Sequence, residues 1–135
     1  MRTSVDPTPE SFRALARDVP DGEPLVMLNL LRFREDAQYP EGSGHAPCAG
    51  RDAYARYAVH ALPAVRAAGG DVIFHGPALS CPIAPPGESW DEVLIVRYPS
   101  RGAFLSMVMA PSYQRETVHR TAGLLDARLI CAREG

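Results

Sequence analysis

A chain of 135 residues is one domain's worth of sequence, long enough to bury a core and too short to carry a second module. Its 46% apolar and 22% charged residues lie in the ordinary globular range and exclude a disordered or fibrous chain. A formal net charge of -2, with acids and bases interleaved, speaks against nucleic acid or a membrane surface as a partner.

No apolar run approaches the roughly 18 residues of a membrane span, and Asp6 and Glu10 stand where a leader peptide would be basic, so a cytoplasmic protein is expected. Cys48, Cys81 and Cys131 are widely spaced, with no C-x-x-C pair and no His at ligand spacing; no metal site is expected from them. All 14 Lys and Arg positions are Arg. Coding bias accounts for that bias in composition, but its chemistry stands: Schiff-base catalysis, pyridoxal phosphate attachment and P-loop phosphate binding all need a lysine amine.

In chain order, Pro7–Pro24 opens with Thr8 or Ser11 as a cap and spaces Phe12, Leu15 and Val19 helically, which predicts a short amphipathic helix. Leu25–Phe33, "LVMLNLLRF", is nearly continuous apolar sequence and predicts a central strand covered on both faces. Arg34–Gly50 is rich in Gly, Pro and charge, a long loop of the kind that lies over sites. Arg51–Ala68 follows the 3.6-residue period, with a kink expected from Pro63 near Val59 and a stop at Gly69-Gly70. Strands are predicted at Asp71–Ser80, with a bend or bulge at Gly76-Pro77, and at Asp91–Pro99. Ser100 caps a helix that Pro111 bends or restarts and that runs on toward Ala122, and Asp126–Arg133 closes the chain as a strand.

After residues 1–24, an N-terminal helical extension, residues 25–135 therefore read β-α-β-β-α-β. Two interleaved right-handed βαβ units of that order give an α+β, ferredoxin-like domain, with a four-stranded antiparallel sheet and both helices on one face. The helix-free face of so apolar a sheet cannot be left in water, and pairing it with the same face of a second copy predicts a homodimer forming an α/β barrel.

The stretches "YARYAVHALPAVRAAGGDVIFHG", "WDEVLIVRYPSRGAFLSMVMAPSYQ" and "DARLI" resemble the dimeric α/β-barrel family called domain of unknown function 1330. The likeness covers roughly Leu25 to Arg133 and rests on the Gly-Gly after a Pro-containing helix, the Tyr-Pro-Ser strand end and the Pro-x-Tyr-Gln step. It implies the same fold and a dimer, and transfers no catalytic residue. More distant dimeric barrels include muconolactone isomerase-like, polyketide cyclase-like, cofactor-free monooxygenase and haem-binding proteins, an analogy of fold that points to a cavity for a small organic acid, lactone or polyketide.

With no Lys and no Ser or Cys in a nucleophile setting, proton transfer falls to His and the carboxylates. His45 in the long loop and His60 on the polar side of its helix read as solvated residues. His75 lies in a strand beside Gly76, where it is either a core histidine or a ligand contact. On a continuous helix from Pro111, His119 projects away from Val118 and Thr121, toward solvent. But "TVHRT" is a weak helix former with Gly123 close behind, so an early end would turn His119-Arg120 inward, with Glu116 or a Tyr hydroxyl orienting the imidazole. Asn29, inside an apolar strand, must bond to a neighbour, water or ligand. Arg32, Arg97 and Arg120 are candidates to grip a carboxylate or enolate, against pairing with surface acids. Trp90 and Tyr98 are core packing or an aromatic wall.

The residues thus point to cofactor-free proton transfer, as in an isomerase, cyclase or lyase, on a small acidic or polyketide-like molecule. His119 is the expected catalytic group, and Asn29, Arg32, His75, Arg97 and Arg120 are the expected substrate contacts. Two alternatives stay open: a metabolite-binding or stress-related dimer that moves no proton, and a haem-binding or oxygen-using barrel with His75 or His119 as axial ligand.

Overall fold

A computed structural model describes residues 2–135. The elements are α1 (Pro9–Asp18), β1 (Leu25–Phe33), α2 (Gly50–Ala67), β2 (Asp71–Pro77), β3 (Glu92–Tyr98), α3 (Arg101–Met109), α4 (Pro111–Gln114), α5 (Thr117–Gly123) and β4 (Leu124–Ala132). The four strands form one antiparallel sheet in the order β2-β3-β1-β4, the ferredoxin-like arrangement. The most apolar strand, β1, is interior, as its composition requires.

Caps set several boundaries. Thr8 accepts from the Ser11 amide at 3.0 Å while Ser11 reciprocates toward the Thr8 amide at 2.9 Å, a capping box that starts α1. Ser100 accepts from the Ala103 amide at 3.0 Å and starts α3. Gly69, at φ +82°, ends α2 in a conformation costly to other residues. α2 runs unbroken through Pro63, so the expected kink does not interrupt it. The β2 irregularity falls between Val72 and Phe74, two residues before the predicted Gly76-Pro77 bend, where the register with β3 is regular.

The largest departure lies after Pro111. The single helix expected there is two: α4 ends at Gln114 and α5 begins at Thr117. His119 lies on the second of these, and its side chain is largely buried. β4 then follows α5 with no intervening loop, starting at Leu124 instead of Asp126.

Alternate residues of β1 face the helices, where Leu25, Met27 and Leu31 are buried. The core on this side comes in two clusters. One gathers Leu25, Met27, Val65, Val96, Tyr98, Phe104, Met107 and Val108, with Phe12 and Leu15 of α1 and Val19 at its end packed on it. The other gathers Leu31, Leu124 and Ala127 against Phe33 and Tyr54. Asn29 holds the helix-facing position between them. The opposite face carries Val26, Leu28 and Leu30, their β3 partners Val93 and Ile95, then Phe74 and Ile130; Phe74 is 51% and Ile130 53% exposed. Among the described residues, no helix covers this apolar face.

Candidate functional site

Residues 34–50 are stitched down at their base. The Arg34 amide donates to Gly123 O and the Gln38 amide to Ala122 O, both at 2.9 Å, while the Gly50 amide donates to Glu35 O at 3.2 Å. These bonds join the loop to the end of α5 and the start of α2, and they bring Tyr39 and His45 onto His119.

The His119 side chain is only 12% exposed. Its Nδ1 lies 2.7 Å from the Tyr39 hydroxyl, and its Nε2 lies 3.5 Å from Glu116 Oε2. Arg56 donates to the same Tyr39 oxygen at 3.1 Å and to Ala46 O at 3.2 Å. A guanidinium only donates, so the Tyr39 oxygen accepts from Arg56; with the phenolic hydrogen turned to Nδ1, the remaining imidazole hydrogen falls on Nε2, on the side of the Glu116 carboxylate. The His45 ring stands edge-on to His119 at 4.7 Å between centroids, and His60 Nε2 lies 3.5 Å from the same Glu116 oxygen. Burial, then the neighbouring His45, hold His119 below the ordinary histidine pKa of 6.5, with Glu116 opposing them. Arg56 and His119 thus share the Tyr39 hydroxyl through hydrogen bonds, Glu116 stands 3.5 Å from Nε2, and the lowered pKa favours the neutral imidazole. Among the described residues, no group of three His, Cys, Asp or Glu side chains is arranged to hold a metal ion.

The other expected residues divide by face and by flank. Asn29 and His75 share one row across the sheet, through the register His75 with Leu94 and Leu94 with Asn29. The Asn29 amide nitrogen donates to Leu94 O at 3.1 Å and to Met27 O at 3.3 Å, so backbone carbonyls satisfy it. His75 Nε2 lies 3.0 Å from Glu92 Oε2, whose other oxygen takes Arg51 at 2.7 Å. Arg51 and Arg56 are five residues apart on α2, about 140° around the helix axis, so the His75 and His119 groups occupy different flanks of it. Arg120 turns inward, 17% exposed, donating to Val5 O at 2.5 Å; its charge opposes the burial that raises the Tyr54, Tyr57 and Tyr113 pKa values. Tyr57 and Tyr113 hydrogen-bond through their hydroxyls, bridging α2 and α4.

Arg32 and Arg97 do not converge with these groups. Both lie on the helix-free face, in register with Asp126 and Val26 respectively. Six residues of β1 separate those rows, roughly 20 Å at about 3.3 Å per residue. Arg97 is bound to Glu134 at 2.6 Å. Of the aromatic candidates, Trp90 and Tyr98 are both buried, Tyr98 in the first core cluster and Trp90 beneath the Arg128 guanidinium. Tyr39, Arg56 and Glu92 were outside the expected set. A lone aromatic among Gly, Pro and charged residues was the available signal for Tyr39; the periodicity of α2 held none for Arg56.

Structures of the RPA0582 protein, described as a protein of unknown function from Rhodopseudomonas palustris, match the whole chain. Its methylated form superposes with a TM-score of 0.90 at 37% identity over 100% of this chain and 97% of that one. The second structure gives 0.89 at 35% identity over 99% and 98%. The chain belongs to the RPA0582 family. Beyond the RPA0582 family, hydroxynitrile lyase from Passiflora edulis matches at a TM-score of 0.55 and 9% identity, over 84% of this chain and 95% of that one. A dimeric ferredoxin-like protein of unknown function from Bacteroides fragilis matches at 0.50 and 12%, over 82% and 96%. At those identities the likeness is one of fold. No protein-family model matches the chain, and no curated protein matches it.

Proposed function

We propose that the chain is a small-molecule enzyme of the isomerase, cyclase or lyase kind, moving a proton without a cofactor, with His119 as the group that takes it. The observation that carries this reading is the largely buried His119 imidazole, held at Nδ1 by Tyr39, flanked at Nε2 by Glu116 and with its pKa lowered by burial. The Tyr39 oxygen has room for one more hydrogen bond beyond Arg56 and His119. A substrate proton passes to that oxygen as the phenolic hydrogen passes to Nδ1, leaving an imidazolium whose charge Glu116 stabilises. Return of the proton along the same path to a different substrate atom completes the reaction. Arg120 is the proposed holder of developing negative charge; Asn29, whose amide donates to Leu94 O and Met27 O, and His75, tied to Glu92 on another flank of α2, are left out of this site, and Arg32 and Arg97 are assigned to an interface instead.

The substrate class is a small organic acid, lactone or polyketide-like molecule with an acidic proton. The lyase among the structural neighbours adds a hydroxynitrile to the compounds to try. Kinship with domain of unknown function 1330 is part of the proposal, supported by the shared element order. So is a cytoplasmic setting, which the free thiols of Cys48, Cys81 and Cys131 fit. We also infer a homodimer through the helix-free face, which suits the exposed apolar residues there and the dimeric neighbour from Bacteroides fragilis.

Deuterium incorporation from heavy water, followed by NMR over a panel of enolisable acids and lactones, tests the chemistry directly. The wild type exchanges at least one member, and His119→Ala lowers that rate by about 10²- to 10⁴-fold with an unchanged melting temperature. Equal rates in the two proteins reject the role of His119. Binding of a panel member with no exchange in either favours a metabolite-binding module.

A further inference from the structure

The connection between β2 and β3 carries two large aliphatic side chains in nearly full contact with water: Leu79 is 92% and Ile83 95% exposed. Pro77, Pro82, Pro85 and Pro86 stiffen this arm, and its base is closed by the Ala78 amide donating to Asp91 O at 2.9 Å. Its returning limb is fixed to the helix-free side of the sheet. Arg128, in register with Leu30 on that face, lies over the Trp90 ring at 5.2 Å, and the Asp91 amide donates to Leu31 O at 2.8 Å. The arm therefore leaves the molecule at the rim of the uncovered apolar face.

Size makes this placement consequential. Four strands about 4.8 Å apart, with seven to nine residues of about 3.3 Å each, give a face of roughly 500 Å² in projection. A standard stable interface takes about 800 Å² of accessible surface from each partner. The side chains give the sheet more accessible surface than its projection, and the arm adds adjoining apolar surface that brings the face toward that size. We propose that residues 78–90 are a dimerisation arm whose Leu79 and Ile83 seat on a second copy of this chain. The proposal rests on the homodimer reading above. By two-fold symmetry each copy gives an arm and receives one, and both aliphatic side chains leave water when the sheets meet.

Sedimentation equilibrium of the full chain separates this proposal from the dimer reading beneath it. The arm is exposed in the single subunit, so Leu79→Ser with Ile83→Ser leaves the fold intact, which an unchanged far-UV spectrum checks. The expected result is a wild-type dimer whose dissociation constant rises at least 30-fold in the double variant. A wild-type dimer matched by an equally tight variant dimer overturns the arm and leaves the sheet interface standing; a monomeric wild type overturns both. Cys81, a free and exposed thiol between the two aliphatic residues, gives a second readout. Its alkylation by iodoacetamide is expected to be at least 5-fold slower in the dimer than in a monomer made by Leu28→Asp, and equal rates count against the arm.

Discussion

The side chain of His119 carries two consequences that can be separated by pH. Folding holds its pKa below 6.5, so between the folded value and 6.5 the unfolded chain binds a proton that the folded chain refuses. Stability from this residue is complete above pH 6.5 and falls as pH drops from there through the folded pKa. Asp126 acts further down. The Ser4 amide at 2.9 Å and Arg128 at 2.6 Å outweigh its burial and hold its carboxyl below 3.8, so its contribution persists above pH 3.8 and is lost only as pH falls through that lower value. Urea midpoints followed from pH 8 to pH 3 should decline in these two stages, and His119→Asn should remove the first while sparing the second. NMR titration offers a sharper measurement: His45→Ala takes away a neighbouring charge and should move the His119 pKa upward. A pKa at or above 6.5 in the wild type contradicts the environment described. The sequence made His119 a candidate because an early helix end would turn it inward. It could not supply Tyr39, 80 residues away, because only the folded loop creates that contact.

Among the elements, the join of α2, α5 and the long loop depends on two glycines whose backbones nearly touch. A Cβ on Gly123 would stand 2.4 Å from Gly50 O and 2.9 Å from the Tyr54 nitrogen, and one on Gly50 would stand 2.1 Å from Arg34 O. Neither position is described with a positive φ, so the constraint is steric. Alanine ordinarily gains about 1 kcal/mol over glycine inside a helix, but the obstructing atoms here are backbone and cannot swing aside. The clash wins. Gly123→Ala and Gly50→Ala should each cost about 3 kcal/mol or more in urea unfolding, at the upper end of overpacking. Gly102→Ala is the control: its Cβ meets only the Asp21 carboxylate at 3.2 Å, a side chain able to shift, and the cost should stay below about 1 kcal/mol. Periodicity and turn residues made every strand and both main helices legible. The division of the last helix was not, since a projection from Pro111 assumes continuity and the Arg115-Glu116 break carries no glycine or proline to announce it. The close approach at Gly50 was equally hidden, because a glycine at a loop end reads as flexibility and here marks contact.

At the scale of the molecule, the apolar strand pattern was sufficient to predict an apolar helix-free face, whereas the arginines at its margins, expected to converge on a cavity, lie on that face in rows six residues of β1 apart. Arg32 and Arg97 border Leu28 and its neighbours in the manner of a polar rim around an apolar interface centre. That arrangement makes centre and rim experimentally distinct. Leu28 lies in the middle of β1, opposite Ile95 and Ile130. In the proposed homodimer, Leu28→Asp would place two like charges near the two-fold axis and remove them from water, a cost of several kcal/mol. At 1.4 kcal/mol per factor of ten, the dissociation constant should rise by more than 1,000-fold, giving a folded monomer at micromolar concentration. Arg97→Ala loses only an exposed pair within its own chain, with Glu134, which solvent screens, and should change the constant by less than tenfold. Sedimentation velocity reads both. The monomer also addresses catalysis, because Tyr39, Arg56, Glu116 and His119 all come from one chain. Leu28→Asp should therefore retain proton exchange within a few-fold of wild type; loss of exchange with the fold intact would mean that the second copy completes the site, and the assignment to a single chain would fail.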